Sequence, residues 1–191
     1  KKKFDKQNFF LVYGENEGLK NDIIAELKKK FNGAIENYDE TQIISENEIF
    51  YEKLFNQSLF EKEKIITINR CSEKIFDIIE NIIEKKVSDI KIILNANILE
   101  KKSKLRNLFE KNKELVIIPT YKDTSITLVE IAKKFFYNYK ISISQETINL
   151  LVSRCNGNRG HLKSELEKIT LYIHDKKNIN LEEIYRLTNL A

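Results

Sequence analysis

Methionine and tryptophan are absent from this chain of 191 residues, proline occurs once, glycine five times, and cysteine and histidine twice each. So little proline and glycine excludes collagen-like and low-complexity architectures. With 41% hydrophobic and 32% charged residues, the chain can bury a core and is no disordered tail. Cys71 and Cys155 cannot form a disulfide framework and fit no zinc spacing, so buried, reduced thiols are expected. No apolar run approaches the roughly 18 residues of a membrane span, and Lys1-Lys2-Lys3 precedes too short an apolar stretch for a secretory signal. A cytoplasmic location without membrane contact is expected. The lack of methionine even at position 1 suggests a segment of a longer chain. With 33 basic and 29 acidic residues, the formal charge of +4 is too small to name a nucleic-acid partner. The length allows one large domain or two small ones.

What is present begins with alternation. Short apolar runs at Phe9–Tyr13, Ile65–Ile68, Ile90–Leu94 and Leu115–Ile118, with a weaker one at Ala34–Tyr38, predict five strands, the last ending at Pro119. Between them lie segments of helical period: Leu19, Ile23, Leu27 and Phe31; Ser45 to Phe55; Ile75, Phe76, Ile79, Ile82 and Ile83; and the basic segment Lys101–Lys113. This is the rhythm of a doubly wound, five-stranded parallel sheet. After Pro119 the period is helical throughout, from Val129, Ala132 and Phe136 to Leu181, Ile184 and Leu190. The expectation is an α/β domain over residues 1–121 followed by a small all-α bundle over 122–191.

The first strand runs into Gly14-Glu15-Asn16-Glu17-Gly18-Leu19-Lys20-Asn21, at the place where a phosphate loop, G-x-x-x-x-G-K-[ST], would cradle a nucleotide. Gly14 and Lys20 fall in register. Leu19 replaces the second glycine, Asn21 replaces the hydroxyl residue that would hold Mg²⁺, and Glu15 and Glu17 would repel phosphates. The strands end in Ile68-Asn69-Arg70 and Leu94-Asn95-Ala96, with no acidic pair for metal and water. Asp39-Glu40 follows a weak strand expected at the sheet edge and reads as ordinary solvated acids. His161 and His174 have no ligand-spaced neighbours. A non-functional phosphate loop, no catalytic residue, no metal and no cofactor are expected.

The broken loop, the wound unit and the following bundle together resemble the AAA+ module of clamp loaders. Three segments, Leu11–Glu17, Asn97–Arg106 and Gly157-Asn158-Arg159, resemble the delta-subunit family of bacterial DNA polymerase III. That resemblance spans essentially the whole chain. It implies a non-catalytic subunit of a DNA-directed DNA polymerase holoenzyme that binds and opens the sliding clamp (beta subunit) without hydrolysing ATP. It also implies assembly with the ATPase tau/gamma and delta-prime subunits through a C-terminal collar domain absent from these residues.

The family's clamp-binding element ends in a Leu-Phe pair before the third strand, and Ser58-Leu59-Phe60, preceded by Gln57, stands there. On the residues alone, Leu59 and Phe60 either continue the stripe of Phe50, Leu54 and Phe55 into the core or protrude as an apolar plug; the resemblance implies the plug. Related peptides carry glutamine two or three residues before the serine, where this chain has Phe55 and Asn56. Ser103-Lys104-Leu105 lacks the arginine that ATPase partners present to a neighbour in a Ser-Arg-Cys motif. Arg159 stands near the family's nucleotide-sensing arginine, and a structural role is expected for it.

Charge is segregated. Residues 101–113 carry six basic side chains against Glu110 alone, and Lys101, Lys102, Lys104 and Arg106 are candidates for DNA contact within the assembly, against a solvated outer face as the alternative. Residues 31–60 carry six acids against Lys53. Clamp and DNA surfaces are therefore expected to be separate. An active AAA+ ATPase, or a DNA-binding module using the basic helix, are the competing functions.

Overall fold

The computed structural model describes residues 7–30, 33–55, 64–85, 90–173 and 178–188. Their contacts cluster into two compact units, residues up to 15 with 20–120, and residues 16–19 with 121–191.

The first unit is a five-stranded, all-parallel sheet in the order β2-β3-β4-β1-β5. Its strands are β1 (Phe9–Gly14), β2 (Ala34–Asp39), β3 (Lys64–Cys71), β4 (Ile90–Ala96) and β5 (Val116–Thr120). Between them run α1 (Glu17–Lys29), α2 (Glu40–Ser45), α3 (Asn47–Phe55), α4 (Phe76–Glu84) after a 3₁₀ turn at Glu73–Ile75, and α5 (Lys104–Lys111). Side chains alternate across a strand, so β1 feeds two cores. Phe10 and Val12 join Ile65, Ile93 and Val116 beneath Ile24 and Leu27 of α1. Leu11 joins Ile66, Ile68, Ile92 and Leu94 beneath α2–α5 and the 3₁₀ turn, which contribute Ile43, Phe50, Leu54, Ile75, Ile79, Ile82, Leu105 and Phe109. Burial on both faces explains the unbroken apolar runs.

Three expected boundaries are corrected. β5 continues through Pro119 to Thr120, because among the described residues β5 is an edge strand paired with β1 alone and its outer side needs no N–H donor. The helix expected from Ser45 to Phe55 is α3 and starts at Asn47; a short α2 precedes it, and the two are separated at Glu46, where the Ser45 hydroxyl turns back to the Gln42 carbonyl at 3.1 Å. The basic segment is helical only over Lys104–Lys111. Ser103 caps it by accepting the Arg106 N–H at 3.0 Å, and Asn112 leaves it with extended backbone.

The second unit contains α6 (Ser125–Asn138), α7 (Gln145–Arg154), α8 (Arg159–Ile173) and α9 (Leu181–Leu187). Thr124, Ser144 and Asn180 cap α6, α7 and α9, the last in a full capping box with Glu183. Leu128, Ala132, Phe136, Ile148, Leu151, Leu162, Leu166, Ile169 and Ile184 close its core.

Candidate functional site

In the α/β unit, the lysine that would reach phosphates in a working loop is turned to another use. Lys20 is 1% exposed, and its Nζ donates to the carbonyl of Ala96, the last residue of β4, at 2.9 Å. Gly14 has φ +136°, and a Cβ there would collide with the Thr120 carbonyl. This glycine serves the close pairing of β1 with β5, which the Thr120 hydroxyl reinforces by donating to the Tyr13 carbonyl at 3.0 Å. Asn21 is exposed on α1.

The strand ends carry amides where a metal-assisted hydrolase needs carboxylates. Asn95 Nδ2 donates to Asn69 Oδ1 at 3.2 Å, tying β4 to β3. Just beyond Asn69 the pairing slips, and Arg70 takes a left-handed φ of 58°. The acids at the end of β2 and the start of α2 are committed as well, and their reading as solvated residues is corrected for one of them. Asp39 pairs with Arg70 at 2.6 Å, but Glu40 is buried and accepts the Ser72 N–H at 2.6 Å and the Ser72 hydroxyl at 2.9 and 3.0 Å. Among the described residues, no group of three or more His, Cys, Asp or Glu side chains is placed to hold a metal. Cys71 and Cys155 are buried and unpaired. Burial pushes both thiols up, Cys155 to about 11, which disfavours the reactive thiolate. His161 is exposed on α8; His174 lies outside the described residues.

In the helical unit, residues 16–19 are held by an ion pair. Arg159 Nε and Nη2 reach Asp123 Oδ2 and Oδ1 at 2.8 and 2.5 Å, with the two side chains only 11% and 3% exposed. Asn16 Nδ2 donates to the same Asp123 Oδ2 at 2.8 Å and to the Tyr121 carbonyl at 2.9 Å. Its Oδ1 accepts the Leu19 N–H at 3.0 Å, an N-cap arrangement for α1. Burial acts to raise the Asp123 carboxyl, but the hydrogen bonds from Arg159 and Asn16 and the guanidinium charge outweigh it and hold the group below its ordinary value. Gly18 packs where a Cβ would stand 3.1 Å from both the Arg159 Cβ and the Gly160 nitrogen. Thus Arg159, expected to be structural, has a protein carboxylate as its anion. Asn16 could have been recognised as a cap; Asp123 carries no local signal, being 107 residues from the amide it receives.

The basic candidates divide. Lys101, Lys102 and Lys104 are exposed, although Lys102 pairs with Glu100 at 3.0 Å. Arg106 is half-buried and engaged by the fold. It bonds Glu110 at 2.8 Å and the Leu99 carbonyl at 3.2 Å, and its guanidinium lies 5.3 Å from the Tyr13 ring centre. A cleft of about 680 Å³ opens beyond the ends of β3 and β4 beside Lys102 and Lys104. Its Glu73 carboxylate is already used at the start of α5, accepting the Ser103 hydroxyl and, at 2.8 Å, the Lys104 N–H. Gln57, Ser58, Leu59 and Phe60 lie outside the described residues. No described helix is long and apolar enough to cross a membrane.

No protein-family model matches the chain, and no curated protein matches it by sequence. Among solved structures it is similar to the DNA clamp loader delta protein of Bacillus subtilis, with a TM-score of 0.62 and 13% identity over 97% of this chain and 59% of that one. It is similar to domain III of the replication initiation protein DnaA of Thermotoga maritima, at 0.58 and 13% over 97% and 85%. It is also similar to the Thermotoga maritima RuvB Holliday junction branch migration motor, at 0.63 and 13% over 96% and 61%. At these identities the likeness establishes the fold alone, a five-stranded parallel α/β sheet flanked by helices. The chain spans about 59% of the length of the clamp loader delta protein and 61% of RuvB.

Proposed function

We propose that this chain is the AAA+-like part of a clamp-loader delta subunit, which binds the sliding clamp and favours its open ring without hydrolysing ATP. The observation that carries this reading is the committed phosphate-loop lysine: Lys20 Nζ serves the Ala96 carbonyl inside the fold. Arg159 held by Asp123 and the Asn69–Asn95 amide pair support it. Each stands where the phosphate-loop pattern or the family resemblance would put a nucleotide-binding group, and each serves the fold, so ATP would act through partner ATPase subunits.

In this reading Leu59 and Phe60 enter an apolar pocket on the clamp, with Ser58 and Gln57 flanking them. A ring bound more tightly when open than when closed shifts toward the open population. Clamp-loader partners would join through a collar domain, and DNA contacts would fall to Lys101, Lys102 and Lys104.

Clamp affinity measured with Leu59→Ala/Phe60→Ala tests the reading. Burying the two side chains is worth about 1.5–3 kcal/mol each, so a loss of roughly 100-fold or more is expected in a variant that keeps its circular dichroism spectrum. Undiminished binding would overturn the clamp assignment. Micromolar affinity of the unaltered chain for Mg-ATP would overturn the non-ATPase role.

A further inference from the structure

We propose that Lys85, Phe55 and Tyr51 form a clip that positions the clamp-binding segment by holding the end of α3 against the end of α4. The inference rests on the clamp reading above and adds three residues to it. Phe55 is the last residue of α3, so whatever orients it orients the point where residues 56–63 begin. The helix is anchored by Phe50 and Leu54, which are 3% and 1% exposed, but Phe55 is 37% exposed and does not follow them into the core. Its ring instead lies parallel to that of Tyr51, one turn earlier, with centroids 6.0 Å apart and planes 6° from parallel. Over this pair sits the ammonium of Lys85, the residue that ends α4, 4.5 Å from the Phe55 centroid and 5.2 Å from that of Tyr51. The Tyr51 hydroxyl lies 3.4 Å from the Ile78 carbonyl, giving the stack a second tie to α4.

A cation over two aromatic rings is a directional contact that adds to the core anchorage of Phe50 and Leu54 by tying the exposed last residue of α3 to the end of α4. Its consequence is entropic. A plug that leaves a held helix end loses less freedom on entering its pocket than one leaving a frayed end, so the clip raises clamp affinity without touching the clamp.

The test compares clamp affinity for the unaltered chain, Lys85→Ala, Lys85→Met, Lys85→Arg and Phe55→Ala, beside a synthetic peptide of residues 55–63. Lys85→Ala and Lys85→Met are expected to weaken binding about two- to fivefold, toward the peptide's affinity, with thermal midpoints unchanged within about 2 °C. Lys85→Arg keeps a cation on the rings and should restore binding. In the unaltered chain the Lys85 ε-methylene proton signals should be shifted upfield by the rings and return to ordinary values in Phe55→Ala. If Leu59→Ala/Phe60→Ala leaves clamp affinity unchanged, the clamp reading fails and this inference with it. If that pair matters but the Lys85 variants bind like the unaltered chain, or Lys85→Met binds as well as Lys85→Arg, the clip alone is overturned.

Discussion

Asp123 receives both the guanidinium of Arg159, 36 residues away, and the side-chain amide of Asn16, 107 residues away, on a carboxylate that is 3% exposed. One acid therefore ties the start of α6 to the start of α8 and to residues 16–19 within the helical unit. Removing one partner of a buried pair strands the other's charge. Arg159→Ala and Asp123→Asn should each destabilise this unit by about 3–5 kcal/mol in urea unfolding followed by circular dichroism. The double variant should lose clearly less than the sum, since one vacancy relieves the other.

The same carboxylate gives a pH dependence. Its folded-state pKa lies below its unfolded value, so the stabilisation is complete above the unfolded value of about 3.9 and is lost as pH falls through the lower, folded one. Unfolding of the unaltered chain should become easier below about pH 4. Asp123→Asn should lack this component, which acid titrations of both proteins in urea would display.

Gly14 and Gly18 should respond differently to alanine. At Gly14 the φ of +136° and the Thr120 backbone leave no room, so Gly14→Ala should cost about 3 kcal/mol or more. At Gly18 the nearest obstacles stand at 3.1 Å, and gained helix propensity of about 1 kcal/mol partly offsets the crowding. Because one obstacle is the Gly160 backbone, a net loss of about 1 kcal/mol is expected. Equal melting behaviour of the two variants would contradict this.

Repairing the phosphate-loop pattern should not restore a nucleotide site. Leu19→Gly/Asn21→Thr rebuilds the sequence motif, but Lys20 still serves Ala96 and the strands still end in Asn69 and Asn95. Calorimetric titration with Mg-ATP should show no binding at micromolar concentrations.

The basic residues separate by stability. Lys101→Ala, Lys102→Ala and Lys104→Ala should change unfolding free energy by no more than about 0.5 kcal/mol. Arg106→Ala, which loses contacts to Glu110, the Leu99 carbonyl and the Tyr13 ring, should cost about 1–2 kcal/mol. Any DNA affinity should fall with the lysine variants and show a smaller salt slope.

Periodicity by itself determined the architecture. Apolar runs such as Phe9–Tyr13 and Ile90–Leu94 must be buried on both faces, and stripes such as Ile75, Ile79 and Ile82 must lie on a sheet, because water penalises any other arrangement. The departure from the phosphate-loop pattern was equally local, visible in Leu19 and Asn21. Tertiary structure alone decided what the leftover polar groups do. That Lys20 points at β4, that Asp123 meets Asn16 and Arg159, and that Arg106 is consumed by Leu99 and Tyr13 depend on parts of the chain brought together only by folding. Pro119 makes the same point: its sequence signal ends a strand, but on an edge that needs no donor the strand continues. Hydrophobic pattern is a property of neighbours in sequence, whereas the satisfaction of a buried charge or hydrogen bond is a property of neighbours in space.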